Sequence, residues 1–260
     1  MNNMPRLVFA SLLIGSASAH ATDSWVTAAL SHTNYTNGFG ERDILSAEYG
    51  HVFDANTLVL KAFGGTRDYD GGTSFDDASL SGTFYRDWND KFSTRTNLAI
   101  SKDEPVFANR VLDQEFSYKA FPNTVLTVGA KHTEYSDGVE SNAWYSAAAY
   151  YFDRVMIRYR YTHYNLSGID DSYGNLLTIR LKDREGAGST QLWLGQGTSV
   201  QEYDWSPTVQ SGDYKSVALR RVQPVSQNVT LNLGLSQAWY DTPVSNYKGL
   251  TSNLGLTYRW

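Results

Sequence analysis

The chain has 260 residues, no cysteine, and 22 Lys and Arg against 27 Asp and Glu, a formal net charge of −5. The acidic balance argues against a nucleic-acid binder, and the absence of cysteine removes disulfide and thiolate–zinc chemistry. The chain carries 18 Tyr, 7 Trp and 21 Gly but only 6 Pro. Abundant aromatics on an otherwise polar chain fit an aromatic-girdled barrel better than an ordinary secreted domain.

The first 21 residues read as a signal peptide. Arg6 precedes an apolar run from Leu7 to Ile14, small residues follow, and Ala19-His20-Ala21 fits an A-x-A cleavage site before Thr22. The run is too short to span a bilayer as a helix, which needs about 20 apolar residues. Residues 22–260 are then the exported domain. Removing the leader removes Arg6 and no acid, which takes the net charge from −5 to −6.

Beyond Thr22 the sequence alternates between apolar and polar residues in segments split by turn residues. The pattern predicts strands over 25–35, 43–53, 57–69, 75–88, 92–102, 111–120, 124–135, 142–152, 154–164, 175–183, 189–199, 213–224, 229–240 and 248–260. That is a closed antiparallel up-and-down transmembrane β-barrel of about 14 strands, with 12 as the alternative count. A soluble β-sandwich is the competing fold.

The connections alternate in length. Asp54-Ala55-Asn56, Asn89-Asp90-Lys91, Phe121-Pro122-Asn123, Asp153 and Ser226-Gln227-Asn228 are tight turns, and Asp183 to Gly188 is slightly longer. The other end has longer stretches: Thr36 to Arg42, Asp70 to Ser74, Asp103 to Arg110, Ser136 to Ser141, Asn165 to Gly174, Val200 to Gly212 and Asp241 to Tyr247. This asymmetry is that of an outer-membrane barrel, with both termini on the short-turn, periplasmic side.

The last strand shows the two faces most plainly. Leu250, Leu254, Leu256, Tyr258 and Trp260 share one parity, while Asn253, Gly255, Thr257 and Arg259 share the other. Trp260 as a terminal aromatic resembles the assembly signal of bacterial outer-membrane barrels. The same parity rule turns Arg95, Arg158, Arg160, Arg180, Lys182 and Arg220 inward as a basic lumen wall, with Lys119, Lys131 and Arg259. Asp113, Glu115 and Glu48 are inward acids. If residue numbers across the 154–164/175–183 hairpin sum to about 340, Arg160 faces Arg180 and Arg158 faces Lys182. Like charges directly opposite are destabilising, so the ladder needs a counter-charge, water or a ligand.

Strings spread along the mature chain carry a family resemblance. Pro105-Val106-Phe107-Ala108, Arg160-Tyr161-Thr162-His163-Tyr164, Thr190-Gln191-Leu192-Trp193-Leu194, Arg221-Val222-Gln223-Pro224 and Trp239-Tyr240-Asp241-Thr242-Pro243 are among them. Together they resemble the YaiO family of outer-membrane β-barrel proteins. The resemblance implies a single-domain barrel in a Gram-negative outer membrane. It supplies no catalytic or ligand motif. Related barrels sometimes accompany polysaccharide synthesis or export machinery.

Three functions follow as expectations. The leading one is a narrow channel or export conduit for anionic or saccharide solutes. The second is a non-conducting barrel whose interior charges pair among themselves and whose loops bind surface glycans or a partner. The third is a rim enzyme, in which His132 or His163 would act with Ser136 or Ser167 and Asp137 or Asp170. No spacing enforces such a triad, so no catalytic residue is assigned. Rim acids Asp68, Asp70, Asp76, Asp77, Asp170, Asp171, Glu202 and Asp204 could hold a divalent cation, but solvated loop charge is the simpler reading. No metal-ligand cluster or cofactor motif is present in the sequence. The expected partners are outer-membrane lipid and lipopolysaccharide, the barrel assembly machinery, and a polysaccharide or other anionic solute.

Overall fold

The computed structural model describes residues 24–260 apart from 137, 167–168, 186, 204–205 and 244. The leader therefore lies outside the described residues, as do Asp137, Ser167 and Asp204. Fourteen strands follow one another in chain order: β1 Ser24–Tyr35, β2 Glu41–Phe53, β3 Asn56–Asp68, β4 Ser74–Asp87, β5 Phe92–Ser101, β6 Arg110–Phe121 and β7 Thr124–Glu134. The second half continues with β8 Glu140–Tyr151, β9 Val155–Leu166, β10 Ile169–Lys182, β11 Ser189–Tyr203, β12 Ser206–Pro224, β13 Val229–Asp241 and β14 Asn246–Arg259. Each pairs antiparallel with its sequence neighbours, and β14 pairs with β1, so the sheet is a closed barrel.

The seam runs from Trp25↔Arg259 to Tyr35↔Gly249. It is completed at the chain end, where Ser24 N donates to Trp260 O at 3.2 Å and Trp260 N donates to Ser24 O at 3.1 Å. Thr27 and Thr257, facing each other across it, bring their hydroxyl oxygens to 2.8 Å inside the barrel. The expected fold is observed.

Parity sets the two faces. Leu250, Leu254, Leu256, Tyr258 and Trp260 are exposed on the outer wall of β14, as are Leu233, Leu235 and Trp239 on β13. Thr251 and Thr257 of β14 and Tyr240 of β13 are buried inside. Aromatics ring both ends of the outer wall: Phe53, Trp88, Phe152 and Trp260 toward the short turns, and Trp144, Tyr161, Tyr173 and Trp239 toward the other end. Apolar side chains left exposed by the fold itself, in a band between two aromatic girdles, are what a hydrocarbon solvent selects.

Two expectations change. Most of the predicted loops at 165–174 and 200–212 are strand. β9 and β10 stay paired out to Ile169↔Leu166, and β11 and β12 out to Tyr203↔Ser206. β12 is 19 residues long, against the roughly 9–11 a membrane strand needs. The asymmetry between the barrel's ends therefore lies partly in strand length rather than in loop length. The physical reason is that strands outside the bilayer pair through their backbones with polar side chains on both faces, so the apolar alternation that marks a membrane strand disappears while the ladder continues.

The second change follows from the first. The β9/β10 register is Arg160↔Leu176, Arg158↔Thr178 and Arg180↔Met156, four residues from the expected one. The like-charged ladder of Arg160 against Arg180 and Arg158 against Lys182 does not form. Each arginine faces a neutral partner.

Lipid contact predicts a face-dependent cost of charge at mid-strand. Leu254→Arg should lose about 2–4 kcal/mol of stability, while its inward neighbour Asn253→Arg should lose about 1 kcal/mol or less. Reversible denaturant unfolding from phospholipid vesicles measures both. Equal losses would contradict a hydrocarbon-facing outer wall.

Candidate functional site: a charged lumen filled at one end

The barrel encloses a cavity of about 3250 Å³. Its lining starts at the short turns, with Asp54, Asn89, Pro122, Asp153, Gly188 and Ser226, and rises to the level of Ala108, Lys131, Trp193 and Tyr240. Every residue expected on the lumen wall lines it: Arg95, Arg158, Arg160, Arg180, Lys182 and Arg220, together with Asp113, Glu115 and Glu48. Among the described residues thirteen Lys and Arg against eight Asp and Glu border the cavity, although the chain as a whole carries 22 against 27. The excess of positive charge is inside and the excess of negative charge is elsewhere.

The wall has two electrostatic sectors. On β5 to β9 three arginines share two carboxylates. Arg95 Nη2 donates to Asp113 Oδ2 at 2.7 Å, and its guanidinium lies 3.5 Å from Glu115. Glu115 also receives Arg160 Nη2 at 2.7 Å and Arg158 Nη2 at 3.4 Å. Tyr145 donates its hydroxyl to Asp113 Oδ1 at 2.6 Å, and the Arg160 guanidinium sits 4.3 Å from the centre of that ring. Small residues make this possible. Gly129 lies beneath Tyr145, and a Cβ there would fall 2.3 Å from the ring. Ala147 stands opposite Arg160 on the neighbouring strand. Long side chains can therefore lie flat across two strands to reach β6.

The second sector is β10 to β12. Arg180, Gln191 and Arg220 stand side by side in register. Arg220 donates to Asn232 Oδ1 at 2.8 Å. Arg180 and Lys182 make no ion pair among the described residues, and Arg180 Nε and the buried Gln191 Oε1 have no hydrogen-bond partner. Glu48, the third expected acid, lies 2.7 Å from Lys61 Nζ and accepts the indole N–H of Trp25 at 2.7 Å.

The opposite end of the barrel is filled. The segment 102–109 between β5 and β6 folds inward, leaving Val106 and Phe107 0 % exposed. Asp77 anchors it, accepting the backbone N–H of Phe107 at 3.1 Å and of Lys102 at 3.0 Å. Arg42 Nη2 donates to the Val106 carbonyl at 2.5 Å. Gly65 leaves the space the Phe107 ring occupies, since a Cβ there would come within 2.9 Å of it. Beside it Phe39, carried on the β1–β2 turn, stacks on Tyr247 at 3.8 Å, and Tyr247 stacks on Tyr240 at 4.5 Å. Tyr214 completes this buried cluster. Phe39, Arg42, Phe107, Tyr214 and Tyr247 lie beyond the cavity lining.

Asp77 is thus a buried anchor rather than a rim acid. His132 bonds Asn142 at 2.9 Å and lies 3.7 Å from Glu134. His163 lies 3.3 Å from Asp171. Among the described residues no three His, Cys, Asp or Glu gather as a metal site would require. At the short-turn end Arg221 donates to both oxygens of Asp183, at 2.7 and 2.6 Å, and these bonds hold that carboxyl below its ordinary range.

A family model for the YaiO membrane β-barrel domain matches residues 24–204. The chain belongs to the YaiO membrane β-barrel family. Solved structures share its shape at low identity. A monoaromatic hydrocarbon channel, CymD, matches with a TM-score of 0.62 at 8 % identity, over 93 % of this chain and 89 % of that one. A bacterial polysaccharide outer membrane secretin matches with a TM-score of 0.55 at 11 % identity, over 94 % and 100 %. The Acinetobacter baumannii outer membrane protein Omp33 matches with a TM-score of 0.52 at 10 % identity, over 93 % and 100 %. At these identities the likeness is one of fold. This YaiO-family chain is an outer-membrane β-barrel with channel-like structural neighbours.

Glu115 is the counter-charge that Arg95, Arg158 and Arg160 share. Glu115→Gln should destabilise the barrel by about 3 kcal/mol, the low end for orphaning a buried ion-pair partner. Adding Arg160→Gln should restore more than half of that loss. Unfolding of the single and double variants measures both, and strictly additive losses would contradict the coupling.

Proposed function

We infer that this barrel is a narrow conduit for anionic or saccharide solutes, loaded from the short-turn end, which faces the periplasm. One observation carries the reading: the lumen holds an excess of basic side chains that the chain as a whole does not have. Fixed charge of one sign in a confined, low-dielectric channel raises the local concentration of the opposite ion. Arg180 and Lys182, which no carboxylate within the described residues neutralises, are the side chains that would meet a passing anion. Arg95, Arg158 and Arg160 are held by Asp113 and Glu115 and serve mainly to set the shape of the wall. A wall carrying this many charged side chains suits hydrated solutes rather than hydrocarbons. The histidines at the rim are engaged with neighbouring side chains, and no step of catalysis is assigned to them.

The inward segment 102–109 favours a second reading, a barrel that does not conduct. In the conduit reading it is a gate, and conduction follows its displacement together with the Phe39 cluster.

Planar-bilayer recording of the purified chain separates the two. The conduit gives anion-preferring current. Arg180→Glu/Lys182→Glu should reverse the preference, and Asp77→Ala/Arg42→Ala should raise the open fraction by loosening the segment. Insertion without current, in the wild type and the loosened variant alike, would overturn the conduit and leave the structural barrel.

A further inference from the structure

We propose that the outer wall carries a binding site for the phosphate of an outer-leaflet glycolipid, built by Lys215, Trp239 and Lys248. This rests on the long-loop end facing outward and is independent of what the lumen does. The register places Lys215 opposite Trp239, and Trp239 opposite Lys248, on the neighbouring strands β12, β13 and β14. All three are exposed on the outer face. Adjacent strands lie about 4.8 Å apart, so two ammonium stems flank one indole with about 10 Å between their backbones. Both can swing to a single phosphate above the ring, or hold the two ends of a diphosphorylated headgroup.

Depth supports the assignment. From Tyr258, in the short-turn girdle, to Lys248 is ten residues along β14. At about 3.3 Å per residue and a tilt near 40°, that is roughly 25 Å along the membrane normal, the height of the apolar band of an outer-membrane barrel. Leu250, Leu254 and Leu256 occupy the interval. The rung therefore sits where hydrocarbon gives way to headgroup phosphate, the level at which Trp concentrates in membrane proteins.

Charge supports it as well. Three other cationic or potentially cationic groups on this rim are tied to acids: His32 to Asp43 at 2.9 Å, Arg110 to Glu134 at 3.4 Å and His163 to Asp171 at 3.3 Å. Lys215 and Lys248 form no ion pair among the described residues. The next rung outward is Asp213, Asp241 and Asn246. It repels phosphate from the level above and so fixes the phosphate at the lysine rung.

The test uses the full chain folded in detergent micelles and titrated with diphosphorylated lipid A, with its dephosphorylated counterpart, and with inorganic phosphate. Retained lipid is counted by native mass spectrometry. The wild type should retain the diphosphorylated lipid about tenfold better than the dephosphorylated one, and inorganic phosphate at equal concentration should not displace it. Lys215→Ala/Lys248→Ala should remove the preference while keeping wild-type strand content and heat-modifiable migration. The lumen variant Arg180→Glu/Lys182→Glu should keep it. Equal retention by wild type and the double lysine variant, or displacement by inorganic phosphate, overturns the site. Labelling of Asn37→Cys on intact cells reports the orientation separately, and an unlabelled cysteine overturns the placement in the outer leaflet.

Discussion

A strand in hydrocarbon has no water to satisfy its backbone, and an unmet N–H or C=O there is costly by several kcal/mol. Everything in this structure is arranged around that constraint. The β1–β14 seam gives the first and last strands the partners they would lack in an open sheet. Its last bonds are made by Ser24 and Trp260 themselves. Closure fixes parity, parity sends leucine out and threonine in, and the inward set then becomes a lumen rather than a core.

A lumen lined by charges has to solve a second problem, which is how to hold several guanidinium groups at close quarters. In one sector the solution is steric as much as electrostatic. Gly129 and Ala147 are small enough that Tyr145 and Arg160 can lie along the wall and reach Asp113 and Glu115. In the β10–β12 sector Arg180 and Lys182 are left without carboxylates among the described residues, and the lumen keeps positive charge available. The filled end follows a similar logic. Gly65 leaves the space for Phe107, and Asp77 and Arg42 satisfy the backbone of a segment that would otherwise expose unpaired groups inside the barrel.

The fold was legible in the sequence because its signal is a single period repeated fourteen times, and side chains of period two record which face meets lipid. Which charges point inward was legible for the same reason. Arg95, Asp113, Glu115 and Arg180 follow from parity alone. The register of β9 on β10 was not legible. It depends on where the hairpin turns, and the polar stretch around Ile169 to Tyr173 carries no apolar alternation once it leaves the membrane. Nor was it legible that Val106 and Phe107 would turn inward. The signals were the matching Gly65 and the inward parity of Asp77, residues far apart in sequence whose meaning depends on knowing that β3 and β4 stand beside that segment. The Tyr145 contact is of the same kind, since a glycine opposite an aromatic on the next strand can be recognised only once the pairing is known.

The chain has no native cysteine, so the seam can be tested with one engineered pair. Thr27 and Thr257 face each other inside the barrel with their hydroxyls 2.8 Å apart. In the Thr27→Cys/Thr257→Cys variant, mild oxidation of membrane-inserted protein should form an intramolecular disulfide that leaves the heat-modifiable folded band intact. Free thiols after oxidation, or disulfides formed only between two chains, would contradict a closed cylinder.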